Sequence, residues 1–320
     1  MEKRNEIIDI MKGIGIMAVI AGHTNPDYIS GHIIMSFHMP LFFIIAGYLY
    51  KPNHNLKTKA LNDFRRLLVP YFTTSLIIMV TFFCISNDYQ SIIIHFTKAI
   101  FHADTEDHTS LIWAHIPKIG PIWFLFALFW CRTTYNMINY FIPSYKIIVV
   151  ISLSIIAVII DRYLINLPFS ILPGLSSMIF YLFGEHIHLY GINRSNIAFC
   201  ACCWIIHLFF SRIDMCICMY KLYPIDICGA VFGTFIIYHL AKVFTKNHFL
   251  SKTLSFLGQT SLVILCAHTY EWSLNISQNF EDYIWIITFA IELSICILLT
   301  FLWLYIKYFV LFLLKKIHQC

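Results

Sequence analysis

The sequence predicts an all-α fold: a polytopic membrane bundle of about ten transmembrane helices, with both termini cytoplasmic. Three observations carry that prediction. Of 320 residues, 59% are hydrophobic and only 12% charged, with a mean hydropathy of +0.73. A soluble surface needs about a quarter charged residues. The apolar residues come in long continuous runs rather than the alternation of a barrel strand, so the crossing elements are helices of about 20 residues. Lysine and arginine are unevenly distributed between the connections, as membrane orientation requires.

Ten apolar segments follow in order: 7–24, 32–50, 67–86, 119–139, 145–162, 171–190, 197–212, 225–244, 253–270 and 283–312. The first reads IIDIMKGIGIMAVIAGHT. The MEKRNE ahead of it mixes acids with bases, and no small-x-small cleavage site follows, so it stays as the first crossing helix rather than leaving as a signal peptide. The second carries Pro40, whose missing N–H frees a carbonyl of the preceding turn. The third is preceded by the basic loop 51–66. The stretch 87–118 is the only long connection. The fourth holds Trp123-Phe124, the fifth ends in Asp161-Arg162, and the sixth contains Glu185. The seventh holds Cys200-x-Cys202-Cys203; buried cysteine behaves as a small hydrophobe, and that reading is preferred over a metal site. The ninth ends at His268. The last contains Glu292 and exceeds one crossing. No internal repeat is visible. Residues 1–320 are read as a single transmembrane domain with no appended soluble domain.

With the N-terminus inside, only Lys98, Lys118, Arg162, Arg212 and Lys221 of the 22 basic residues fall outside. The acids Asp104, Glu106, Asp107, Glu271, Glu281 and Asp282 fall outside with them. The net charge of +5 therefore reflects topology and does not argue for a nucleic-acid partner. This orientation puts His23, His38 and His268 at the outer level, and Lys12, Lys51, Lys57, Lys59, Arg65 and Arg66 at the inner one.

Ionisable residues inside a membrane helix are costly and usually functional. Lys12 and His23 are eleven residues apart, close to three turns, so they share a face about 16 Å apart along the axis. Asp9 lies three residues before Lys12 on that face. Histidine suits the task of taking a proton from a hydroxyl nucleophile, although a histidine at a helix end is commonly an interfacial polar group. His38, in Ser36-Phe37-His38-Met39-Pro40, stands beside the expected kink. Arg65 and Arg66 are read either as topology signals or as an anion site for a phosphorylated ligand. Trp123 is read as a belt aromatic or as a sugar-stacking acceptor contact. Glu185 and Glu292 are expected to pair with a lysine or histidine across the bundle.

Several blocks, in order, resemble acyltransferase family 3, integral membrane proteins that modify bacterial surface polysaccharides and related glycans. They are Ile8-Asp9-Ile10-Met11-Lys12-Gly13-Ile14-Gly15 through Gly22-His23, Phe37-His38-Met39-Pro40-Leu41-Phe42-Phe43, Ala46-Gly47-Tyr48-Leu49, Arg65-Arg66-Leu67-Leu68-Val69-Pro70-Tyr71, Pro121-Ile122-Trp123-Phe124-Leu125, and Gly258-Gln259-Thr260-Ser261-Leu262 up to His268. The family's hallmark is an arginine, ten intervening residues and a histidine. Lys12 stands at the arginine position, as in the fucose O-acetylase-like branch; lysine keeps the charge and loses the planar fork.

The resemblance implies acyl transfer, most simply of acetyl, from acyl-CoA to a sugar hydroxyl of a polysaccharide or its lipid-linked precursor, in the inner (cytoplasmic) membrane. It implies a catalytic set of His23, Lys12 and Asp9, with His23 as general base or acyl carrier. His38, Arg65, Arg66, Trp123 and His268 would bind substrate. Acetyl-CoA would be a donor substrate, with no permanently bound cofactor and no metal. A transporter or flippase of lipid-linked glycans is the alternative a charged helical bundle allows, and a scaffold that kept the fold without catalysis is a third.

Overall fold

The computed structural model describes residues 5–103, 117–163, 167–191, 197–274, 276 and 284–317. Lys3, Arg4, Arg194 and the acids Asp104, Glu106, Asp107, Glu281 and Asp282 lie outside the described residues. The described residues are all-α apart from one two-residue strand pair, Ile213–Asp214 (β1) with Met219–Tyr220 (β2).

All ten apolar segments are helical, with three departures from the expected layout. The helices are α1 (Glu6–Gly22), α2 (Tyr28–Tyr48), α3 (Leu56–Asp63), α4 (Val69–Ile85), α5 (Tyr89–His102), α6 (Trp123–Phe141), α7 (Lys146–Tyr163), α8 (Ile171–Ser176), α9 (Met178–Tyr190), α10 (Ile197–Phe210), α11 (Tyr223–Phe244), α12 (His248–Gln259), α13 (Ser261–Ser273) and α14 (Trp285–Ile317). The long connection hides α5, a helix that buries Ile92, Phe96 and Ala99 and leaves Ile93 and Ile94 exposed. The sixth segment is divided into α8 and α9. The ninth is bent by 69° between α12 and α13.

Among the described residues, five helical stretches are long and apolar enough to cross a bilayer: Tyr28–Tyr48, Leu56–Ile85, Pro143–Tyr163, Tyr223–Phe244 and Trp285–Phe312; the bent pair α12–α13 reaches that standard together. Their outer faces are apolar and exposed, as at Ile147, Ile148, Ile151, Ile155 and Ile159 along α7. Such a surface belongs in lipid, and the protein is a multi-pass membrane protein.

Helix starts are written in the sequence as short polar caps. Asn5, Asp27, Asn55, Asp88 and Asn247 each accept from backbone N–H groups two or three residues on, at 3.0–3.4 Å.

Two helix crossings are set by glycine. A Cβ on Gly47 would stand 2.0 Å from the Tyr181 carbonyl oxygen, and one on Gly184 2.0 Å from that of Ile44, so α2 and α9 meet backbone to backbone. A Cβ on Gly13 would stand 2.2 Å from the Leu254 oxygen, and one on Gly258 1.8 Å from that of Asp9, so α1 and α12 do the same. In lipid, helices associate through close backbone packing of this kind, because apolar side chains gain little by leaving hydrocarbon for protein.

Replacing Gly184 with Val drives a side chain into the Ile44 carbonyl. The expected cost is roughly 1–3 kcal/mol or more, read as a lower melting temperature of the detergent-solubilised protein. An unchanged melting temperature would mean that the α2–α9 crossing is not set by this contact.

Candidate active site

His23 sits where α1 is made to stop. It is the C-cap, with φ −100° and ψ 0°. Asn25 takes a left-handed φ of 49°, Pro26 prevents the helix from resuming, and Asp27 caps the start of α2. Thr24 turns its hydroxyl back to the Ala21 carbonyl at 2.9 Å. The imidazole is thus left at a helix end, facing a cavity of about 1020 Å³, the upper end of what small-molecule sites occupy.

That cavity runs along the α1 face expected from the spacing. Lys12, Ile16, Val19 and His23 all line it. A second wall comes from α6, whose Phe124, Leu128 and Arg132 recur at four-residue intervals and so share one helix face. Trp123 stands near the His23 end. Arg132, nine residues further, stands about 14 Å along the helix, at the Lys12 and Arg66 end. His38 and Met39 line it from α2, and Gln259 and Leu262 from the α12–α13 junction.

Around His23 the imidazoles cluster. The rings of His23 and His268 have centroids 5.2 Å apart, and the Trp272 ring meets His23 edge-on at 6.4 Å. His268 is fully buried, and its Nδ1 lies 2.5 Å from Glu292 Oε1 on α14. His38 donates from Nδ1 to the Ile34 carbonyl at 2.9 Å, which leaves Nε2 as the acceptor nitrogen. Lys118 holds its ammonium 4.6 Å above the Trp272 ring. Gly120, at φ +84°, passes so close beneath that a Cβ would be 2.7 Å from the indole. A glycine is required there twice over, by the backbone angle and by the approach.

His268, Glu271 and Glu292 bring one potential ligand atom each within 4.8 Å of the others. Two ligands of a tetrahedral zinc at 2.0–2.2 Å stand about 3.4 Å apart. The 2.5 Å between His268 and Glu292 is shorter than that, and the two side chains form a close buried pair without hydrogen-bond alignment. Glu271 is fully buried in this group and does not lie in an outer connection as the charge pattern implied.

The expected site residues divide cleanly. His23, Lys12, His38, Arg66 and Trp123 line the cavity. Asp9 is buried at the edge of that α1 face and off the cavity wall, where Gln259 Nε2 donates to Oδ2 at 3.3 Å; it faces the α12–α13 junction. Arg65 is exposed and off the cavity wall. His268 also lies off the wall, behind His23. Both intramembrane acids find the partners expected of them: Glu292 pairs with His268, and Glu185 with Lys146 at 2.7 Å and the Tyr135 hydroxyl at 2.6 Å.

Arg132 and Trp272 went unread. Arg132 was signalled by the rule that exposed Lys12, an ionisable residue within an apolar run, but its position also suited the topology count. Trp272 carries no such signal; only the α13 fold brings it to His23.

The fold and site define a helical membrane protein whose polar cavity is lined by imidazoles and by cations from several helices. Residues 5–314 match the family described as an acyltransferase domain, acyltransferase family 3, and the chain belongs to that family. The protein is a membrane acyltransferase. No curated protein and no solved structure matches it.

Removing the Glu292 carboxyl takes a polar partner away from the buried His268 imidazole, at a cost of about 1–3 kcal/mol. Glu292→Ala is expected to melt at a lower temperature than Glu292→Gln, whose amide keeps a polar group of the same size beside Nδ1. Equal melting temperatures would show that the His268 contact contributes nothing.

Proposed function

We propose that the protein moves an acetyl group from acetyl-CoA to a sugar hydroxyl of a cell-surface polysaccharide or its lipid-linked precursor. One observation carries this: His23, Lys12 and Arg66 line a single cavity, with Lys12 eleven residues, or about 16 Å along α1, from His23. Acyl-CoA is anionic at its nucleotide and neutral at its thioester, so a donor lying along the cavity would put phosphates among the cations and the acyl carbon near His23. Membership of an acyltransferase family supports the transfer reading and gives the transporter reading no support.

The chemistry then follows. In direct transfer, His23 accepts the proton of the sugar hydroxyl as its oxygen attacks the thioester carbonyl. The new C–O bond forms, the C–S bond breaks, and the proton passes to the departing thiolate of coenzyme A. Alternatively a His23 ring nitrogen attacks the thioester carbonyl, the C–S bond breaks to expel coenzyme A as its thiolate, and the acyl-imidazole then passes the acyl group to the sugar oxygen as its C–N bond breaks and the hydroxyl proton goes to the thiolate. His268, fixed by Glu292, orients His23 from behind. His38 offers a second acceptor nitrogen at the cavity wall, and Trp123 and Trp272 flank the place a sugar ring would take.

The orientation proposed has ten crossings, both termini in the cytoplasm of a bacterial cell, and the protein in its inner membrane. Lys51, Lys57, Lys59, Arg65 and Arg66 then face the compartment that holds acyl-CoA. Arg65, off the cavity wall, would act at the entrance. Lys12, in place of an arginine, fits the fucose O-acetylase-like branch, because a point charge beside a phosphate does not need a fork.

Membranes holding the protein, given radiolabelled acetyl-CoA, are expected to place label on lipid-linked or polymeric glycan. His23→Ala should lower transfer on the order of 10²–10⁴-fold. Full transfer by that variant would remove His23 from the chemistry. Labelled donor without acceptor separates the two routes: label held on the wild-type protein and absent from His23→Ala marks the carrier, and its absence from both marks the base.

A further inference from the structure

The Arg132 guanidinium is only half used. Nε donates to Asp63 Oδ1 at 3.0 Å, and Nη2 lies 2.8 Å from the same oxygen. Both contacts come from one edge of the fork. Its other edge, Nη1 with the second hydrogen of Nη2, makes no hydrogen bond among the described residues. Arg132 also lines the cavity, with its side chain 14% exposed.

A purely structural buried pair would satisfy both carboxylate oxygens. Here Asp63 is 2% exposed, yet Oδ2 has no hydrogen-bond partner, and Lys59 approaches it only to 3.9 Å. Asp63 ends α3, and the next five residues, Phe64–Leu68, form a π-helical turn. Such turns are rare and gather at functional sites. This one widens the helix where Arg66 reaches the same cavity. Lys12, Arg66 and Arg132 thus converge from three separate elements on one end of the cavity, and among the described lining residues the acids, Asp27 and Asp214, belong to other segments near the His23 end.

We infer that Arg132 is a donor-binding residue that grips a phosphate group of the acyl-CoA nucleotide with the free edge of its fork, and that Asp63 is the positioning residue that holds the guanidinium by the other edge. This rests on the acyl-CoA reading of the same cavity. A guanidinium can serve two oxyanions at once because its donors are planar and fixed; an ammonium cannot reproduce both directions. Lysine suffices at position 12, where only charge is needed, and would not suffice here.

The test compares two donors on the full-length protein in membranes. Acetyl-CoA carries the phosphates, whereas S-acetylpantetheine carries the same thioester and arm without them. Arg132→Lys is expected to raise the KM for acetyl-CoA by about tenfold or more. The KM for S-acetylpantetheine should move by less than about twofold, and the effect should fall on KM rather than kcat. Asp63→Asn should shift the same ratio in the same direction, more weakly. The paired variant Asp63→Asn with Arg132→Gln leaves no unpaired buried charge, so it keeps the comparison available where a single variant fails to fold; it too should raise the KM for acetyl-CoA selectively.

Equal changes for both donors, no change for either, or a loss confined to kcat would overturn the assignment. Wild-type protein active with acetyl-CoA alongside any of those results leaves the acyltransferase proposal standing and removes only Arg132. Wild-type protein inactive with both donors removes the donor reading and this assignment with it.

Discussion

A charged or hydrogen-bonding side chain inside a lipid-facing bundle must find its partner within the protein, because hydrocarbon supplies none. The polar residues of this chain sort by how they meet that constraint. Glu185 meets it with Lys146 and Tyr135, His207 with Asp226 at 3.3 Å, and His268 with Glu292. Lys12, Arg66 and His23 in addition line a cavity large enough for a ligand. The first group holds helices together. The second makes a polar route through an apolar body.

The route exists because α1 is placed with little latitude. Gly13 and Gly258 let α1 and α12 touch backbone to backbone, and Asp9 locks the same junction through Gln259. With one side of α1 pressed there, its Lys12–His23 face is left to the cavity. The 69° bend between α12 and α13 then carries His268 and Trp272 round to the imidazole end. Packing at one side of a helix therefore determines the chemistry available at the other.

Much of this was legible in the chain. Helical spacing put Lys12 and His23 on one face, and they line one cavity. The same spacing put Asp9 beside Lys12, but a shared face spans a wide arc, and Asp9 falls at its edge, against α12. Adjacent residues such as Arg65 and Arg66 point about 100° apart on a helix, so one can face the cavity while the other faces away, and the π-helical turn that sets their direction is invisible in composition. Glu271 read as a topology charge because it follows the apolar run, whereas α13 continues past it and buries it. The α12–α13 bend gave no signal beyond Thr260-Ser261, residues that favour caps without requiring a break.

The central claim is that one ligand can touch the cations and His23 together. A cryo-EM structure of the protein with a non-hydrolysable acetyl-CoA analogue tests it most directly. The account predicts nucleotide phosphates beside Lys12 and Arg66, with the acyl carbon in contact with the His23 imidazole. An analogue bound elsewhere, or bound at the cations with its acyl end turned away from His23, would contradict it.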